Sequence, residues 1–430
     1  MPPCVDRVRM EWMAIARGPR PTGRGRGLCG LLAACLLAGC ATSPRLEAPP
    51  EPAPAALAPP GFPPDIRLQT TDLAGLSERR PAFVRGIRQS VTDGSIDVLA
   101  LSGGGSGGAF GAGALVGLGE SGQRPRFELV TGVSAGALIA PFAFLGPAWD
   151  DRLRDAFSGE RALPLPRHAG LSVIGHLLFP RGIGGRSALS ALVDRYVTMD
   201  LVDAVAREGA GGRRLVVATT DLDTQETVLW DMVAIARHGG EAARKLFRDV
   251  LVASASVPGV FPPVVVRVAS GSHRYDELHV DGSVTTPVFA TPLVAEILAQ
   301  DDRALAGANL YLIVNGRLAV RPRTVPIATL PILSRSFDAD MMYKTREAIA
   351  LTIGFARRQG ARFLVTEIPI DHPVASFVDF RPQAMRPLFE YARRCAREGR
   401  LWLSAQASIE RNLQRSHEPA AGDECPALQR

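Results

Sequence analysis

One segment constrains the fold more than any other. An apolar run, 127–131 (FELVT), leads directly into Gly132-Val133-Ser134-Ala135-Gly136, and an apolar helix-forming stretch follows at 135–144. Glycines two residues either side of a serine permit a sharp strand-to-helix elbow, which holds the hydroxyl out at the carboxyl end of the strand. Such a junction belongs to an alternating α/β chain. The remaining pattern agrees. Short apolar runs at 96–101, 214–219, 264–268, 278–280, 310–314 and 362–367 predict strands. Stretches at 109–118, 188–197, 241–252, 291–299, 338–357 and 387–397 predict helices between them. The expected fold is α/β: a three-layer α/β/α sandwich with a mainly parallel central sheet.

A second strand–turn–helix junction is Ser102-Gly103-Gly104-Gly105-Ser106-Gly107-Gly108. Three readings compete for it. Gly103-x-Gly105-x-x-Gly108 fits a dinucleotide fingerprint, but that motif wants an acidic residue closing the next strand, and Glu128 stands at that strand's beginning. A P-loop fails because no Gly-Lys-Ser/Thr follows. An oxyanion hole needs only backbone N–H donors, which a glycine-rich turn supplies. Gly104-Gly105-Ser106-Gly107-Gly108 also matches Gly-x-Ser-x-Gly. Ser134 is the preferred nucleophile, since a run of glycines holds a side chain loosely.

A serine nucleophile needs a base. Asp281-Gly282-Ser283 places a carboxylate on a glycine turn just after the predicted strand containing His279. Asp93-Gly94-Ser95 has the same composition but precedes the first strand, the wrong end of an open α/β sheet for a site. A serine–acid–histidine triad would draw on His372 or His279 instead. Cys/His clusters with metal-ligand spacing are lacking, so no metal or other cofactor is expected.

The amino terminus reads as an address. Residues 1–39 hold six Arg against Asp6 and Glu11, and 28–38 form a short apolar block ending in Leu37-Ala38-Gly39-Cys40. That is a secretory signal followed by a lipobox, with Cys40 the lipidated first mature residue. Residues 40–64 then form a Pro/Ala-rich linker with nine prolines, expected to act as a free tether reaching on the order of 70 Å. Ala41 after the cysteine resembles outer-membrane sorting in Gram-negative lipoproteins, facing the periplasm. The overall net charge is +6, mostly from the signal. The body is nearly balanced, so a nucleic-acid partner is not expected. Beyond the linker, 65–94 reads as a lead-in, 95–415 as the catalytic body with its motifs in 95–300, and 416–430 as a tail. Cys395 and Cys425 remain in the mature chain, either bridged or as two free thiols.

Taken together, Gly103-Gly104-Gly105-x-x-Gly108, Gly132-x-Ser134-x-Gly136 and Asp281-Gly282 resemble the patatin-like phospholipase family in order and in strand context. The stretch 253–263 (ASASVPGVFPP) resembles the family's segment ahead of the Asp motif. The resemblance implies a patatin-like fold and a Ser134–Asp281 dyad hydrolysing phospholipids or other lipid acyl esters without a cofactor. It assigns the oxyanion hole to Gly103, Gly104, Gly105 and Gly108, and the elbow to Gly132 and Gly136. Two positions depart from the family's commoner pattern: Gly107 stands where a basic residue is frequent, and Ser283 where Gly or Ala is commoner. The competing readings are an esterase or thioesterase with a histidine triad, and a non-catalytic acyl-binding envelope lipoprotein.

Overall fold

The computed structural model describes residues 45–51, 57–158, 188–288, 305–320, 322, 324–370, 372, 377–413 and 424–426. Cys40 and the signal, the predicted helix at 291–299, the apolar stretch 171–179 and His168, His176 and His417 lie outside them. The strands are β1 (Arg67–Gln69), β2 (Asp97–Leu101), β3 (Leu129–Val133), β4 (Arg214–Asp221), β5 (Glu226–Asp231), β6 (Val264–Ser270), β7 (His273–Asp281), β8 (Asn309–Val314), β9 (Arg362–Glu367) and β10 (Leu403–Ser404). The helices are α1 (Leu73–Ser90), α2 (Gly108–Glu120), α3 (Ala135–Leu145), α4 (Asp150–Phe157), α5 (Ala188–Tyr196), α6 (Met199–Gly209), α7 (Met232–His238), α8 (Gly240–Ser254), α9 (Thr329–Gln359), α10 (Pro382–Arg397) and α11 (Ala405–Leu413).

The strands form one sheet in the order β1-β5-β4-β3-β2-β8-β9-β10, with β7 beside the end of β4 and β6 beside β7. Its five central strands, β4, β3, β2, β8 and β9, run parallel. The outer pairings are antiparallel. Both faces are covered, which is why β2 and β3 are buried along their whole length. On one face Leu99, Leu101, Val130 and Val217 pack with residues of α2, α3, α8 and α10. On the other, Val98, Leu129, Val216 and Leu310 meet Leu76 and Ile87 of α1 and Phe355 of α9. The molecule is therefore a three-layer α/β/α sandwich. Among the described residues, no helix is long and apolar enough to cross a membrane.

Three elements differ from the sequence reading. The lead-in carries β1 and α1, whose Leu76 and Ile87 are core residues. α1 escapes a propensity reading because Pro81, Gly75 and Gly86 interrupt an amphipathic pattern. β5 forms a hairpin with β4 around Gln225, a non-glycine residue at φ +58°. The described parts of the Pro/Ala linker do not swing free. The Leu46 N–H donates to Asp276 Oδ2 at 3.0 Å, Arg45 pairs with Asp223, and Ala58 forms an antiparallel bridge to Ala269 of β6. Proline leaves few backbone donors, but the non-proline residues between are enough to tie the segment down.

Residues 424–426 are also fixed. Cys395 on α10 is disulfide-bonded to Cys425 across 30 residues. Arg400 donates to the carbonyls of Cys425 and Pro426, each at 2.7 Å. Closing a loop of that length stabilises a fold by about 3 kcal/mol through the unfolded chain. The Cys425→Ser variant is expected to lose about that much in chemical denaturation under oxidising conditions and nothing under reducing ones. An equal loss in both would assign the effect to packing.

Candidate active site

Strand β4 brings the two motif residues together. It pairs with β3 up to Val133↔Ala218, and its next residue, Thr219, pairs with Asp281 of β7. β3 and β7 run in opposite directions along the same edge of β4, so their carboxyl ends abut. Beyond Val133 the chain turns into α3 through Ser134, which sits at φ +54°, ψ −125°. A left-handed serine costs on the order of 1–3 kcal/mol, and the surroundings must hold it. Its N–H donates to Ser254 Oγ (3.1 Å), whose own hydroxyl donates to Ala218 O (2.7 Å). The flanking glycines are required by close approach: a β-carbon on Gly136 would overlap the Leu101 carbonyl, and one on Gly132 the backbone of Gly136.

The Ser134 hydroxyl donates directly to Asp281 Oδ2 at 2.6 Å. Ser134 is 4% exposed and Asp281 1%. The other carboxylate oxygen, Oδ1, accepts the Ser283 N–H at 2.8 Å. Burial disfavours the charged carboxylate and raises its pKa to about 6, against the opposing bonds from Ser134 and the Ser283 N–H. The Ser283 hydroxyl also favours the charged form from nearby, without the geometry of a hydrogen bond. An aspartate so placed is a far better proton acceptor near neutrality than a solvated one.

The glycine-rich turn follows β2 as a 3-10 turn, Gly105–Gly107, and leads into α2. Its N–H groups divide into two sets, and those of Gly103 and Gly108 are used within the fold. The Gly103 N–H is bound to Pro287 O (2.9 Å), and the Gly108 N–H closes the turn onto Gly105 O and Ser106 O. The N–H groups of Gly104 and Gly105 have no partner among the described residues, so they are the donors left for an oxyanion. Gly105 lies at φ +56°, and a β-carbon there would strike the Phe377 carbonyl. A residue the sequence reading missed holds this turn. Asn315, at the end of β8, donates from Nδ2 to Ser102 O (2.7 Å), accepts the Gly111 N–H on Oδ1 (3.1 Å), and donates its own N–H to Ser102 Oγ (2.8 Å). Its only sequence signal is a polar residue ending an apolar strand.

The alternative residues fall elsewhere. His279 Nδ1 is paired with Thr219 Oγ1 (2.9 Å) and Nε2 with Glu277 (3.0 Å). His372 packs against the Tyr391 ring, and its carbonyl accepts Arg317. Neither imidazole lies between Ser134 and Asp281. Ser106 lies inside the 3-10 turn. Asp93 is in an exposed turn ahead of β2, where its carboxylate accepts the Ser95 N–H.

Two chambers meet at Ser134. One, of about 80 Å³, is lined almost wholly by hydrocarbon, including Leu138, Phe142, Val193, Leu251, Phe261 and Met385. The other, of about 360 Å³, carries the polar groups: Ser102, Asp281, Ser283, Asn315, Arg317 and Arg335. Ser134 and Gly105 border both.

The raised pKa of Asp281 has a stability consequence. The folded state holds this proton more tightly than the unfolded chain, so folding weakens as pH rises from about 4 through about 6. Above that window the buried charge costs on the order of 3 kcal/mol. Asp281→Asn is therefore expected to be more stable than the parent at pH 8, with the difference closing as pH falls towards 4. Denaturation curves across that range check this; a pH-independent difference would remove the carboxylate as the cause.

Residues 99–294 match the family model described as Patatin-like phospholipase. Among curated proteins no sequence relative is found. Solved structures with similarity include VipD from Legionella pneumophila (12% identity, TM-score 0.30, covering 71% of this chain and 67% of that one). Human GIVD cytosolic phospholipase A2 is similar at 10% identity and TM-score 0.31, covering 73% and 55%. The type III effector protein ExoU, from Pseudomonas aeruginosa, is similar at 14% and 0.30, covering 74% and 54%. The chain thus spans little more than half the length of the latter two. The match to the patatin-like phospholipase model thus spans residues 99–294, the stretch that holds both Ser134 and Asp281.

Proposed function

We propose that this protein is a serine acyl hydrolase of lipid esters, of the phospholipase A or lysophospholipase type, working through a Ser134–Asp281 dyad. The observation that carries the reading is the direct 2.6 Å bond from the Ser134 hydroxyl to a buried carboxylate, with no imidazole between them. The family assignment and the apolar chamber beside the serine support a lipid acyl chain as the part of the substrate held there.

In the first half-reaction Ser134 Oγ attacks the ester carbonyl and its proton passes to Asp281. The tetrahedral oxyanion is held by the N–H groups of Gly104 and Gly105, each worth about 3–4 kcal/mol of barrier. Asp281 returns the proton to the departing alkoxide, leaving an acyl ester on Ser134. In the second, water attacks that ester, its proton goes to Asp281, and the carbonyl collapses with release of the fatty acid. Asp281 then reprotonates Ser134 Oγ.

Ser134→Ala and Asp281→Asn are each expected to lower ester turnover by at least about a thousandfold, and a fluorophosphonate probe to label the parent at Ser134 but not Ser134→Ala. Absence of labelling in the parent would favour a non-catalytic acyl-binding protein. Because Asp281 must be ionised to accept the proton, kcat/KM is expected to rise about tenfold per pH unit below about 6 and to level above it. A limb that persists in Asp281→Asn would overturn its role as base.

The anchor is part of the same proposal. The lipobox supports attachment of this hydrolase through lipidated Cys40 to the outer membrane, facing the periplasm, with membrane phospholipid as substrate. Cys40→Ser is expected to move the protein from the membrane to the soluble fraction on fractionation. Unchanged membrane association would sink the anchor.

A further inference from the structure

Ser283 is the residue at which this chain leaves the commoner Asp-Gly-Gly/Ala ending, and the structure gives its hydroxyl a distinctive place. The residue is 2% exposed, yet Oγ has no hydrogen-bond partner among the described residues. Burying a hydroxyl unpaired is costly, so such a group calls for a ligand. It lines the polar chamber together with Ser134, Asp281 and Gly103. A β-carbon built on Gly103 would overlap Ser283 Oγ and stand 3.2 Å from Ser134 Cβ, so the hydroxyl and the nucleophile flank the same point. The Ser283 N–H meanwhile holds Asp281 Oδ1.

We propose that Ser283 Oγ is the second anchor of the water that hydrolyses the acyl-enzyme. The inference rests on the Ser134–Asp281 reading above. In the resting protein Asp281 Oδ2 accepts the Ser134 hydroxyl. Once Ser134 is acylated it has no proton to give, and Oδ2 is freed. A water entering from the polar chamber then donates one hydrogen to Asp281 Oδ2 and the other to Ser283 Oγ. Two fixed partners leave an oxygen lone pair to face the ester carbon, which the hydrocarbon chamber cannot do. As the C–O bond forms, the first hydrogen moves to Asp281. The Ser134 Oγ–acyl bond then breaks and that proton passes to Ser134 Oγ. The hydrogen on Ser283 Oγ stays with the product acid, so Ser283 gains and loses no proton.

Methanol supplies the discriminating control. It has one hydroxyl hydrogen, which goes to Asp281, so methanolysis makes no use of Ser283 as an acceptor. The test uses p-nitrophenyl butyrate, whose good leaving group makes deacylation slow relative to acylation. Ser283→Ala and Ser283→Gly are both compared with the parent, and each substitutes a residue that the family pattern already carries. The expected result is an acyl-enzyme, followed by intact mass, that survives about tenfold longer than the parent's. In added methanol the ratio of methyl ester to free acid is expected to rise about tenfold in both variants. An unchanged lifetime and ratio would overturn the proposal. So would equal slowing of hydrolysis and methanolysis, which would make Ser283 a tuner of Asp281 or a packing residue. If the parent forms no acyl-enzyme at all, the underlying dyad falls first and this inference with it.

Discussion

The site depends on one backbone arrangement: two strands of opposite direction sharing a single edge of β4. Val133 and Asp281 stand opposite consecutive residues, Ala218 and Thr219, so the ladder itself fixes how far apart the nucleophile and its carboxylate lie. Side-chain freedom is then nearly exhausted. Ser134 is locked at a left-handed backbone by its N–H bond to Ser254, and Asp281 is locked by the Ser283 N–H on one oxygen and Ser134 on the other. Preorganisation of this kind removes the reorganisation that a solvated pair would undergo at each turnover. It also buries a carboxylate, and that burial gives the group basicity suited to its proposed task.

The glycine turn shows how the same economy applies to donors. Of the glycines that the motif offers, two use their N–H groups to hold the turn in place, and Gly104 and Gly105 are left open. Asn315 closes the turn from β8, a strand far away in the chain, through three hydrogen bonds to Ser102 and Gly111. The chamber walls divide by chemistry as well, hydrocarbon on one side of Ser134 and polar groups on the other.

Much of this arrangement was legible in the sequence because strict local geometry leaves a strict local pattern. The elbow needs small residues at fixed offsets from Ser134, and β2, β3, β8 and β9 are short apolar runs because both sheet faces are covered. Placement of β9 at Arg362–Glu367 agrees with the sequence residue for residue. What was illegible is what arises from distant pairing. Nothing local says that Asn315 will buckle the glycine turn, that Ser254 will receive the Ser134 N–H, or that the Gly103 N–H will be taken by Pro287. β5, a six-residue run (ETVLWD) with an acidic residue at each end, becomes a strand because β1 and β4 flank it. The proline-rich segment looked unable to dock because its composition is poor in core formers, yet its few apolar residues suffice: Leu57 joins the core and Phe62 packs against it, beside the backbone bonds and Arg45.

That attachment changes what the segment is for. Arg45, Leu46 and Glu47 are held at Asp276 of β7, and Ala58 is hydrogen-bonded to the outer edge of β6. An outermost strand with open amides invites another chain to add to it. A shortened version of the protein beginning at residue 65 would uncover both flanks of the hairpin whose last residue is Asp281. Self-association of such a fragment, and slackening of the carboxylate it carries, would then stem from the missing strap.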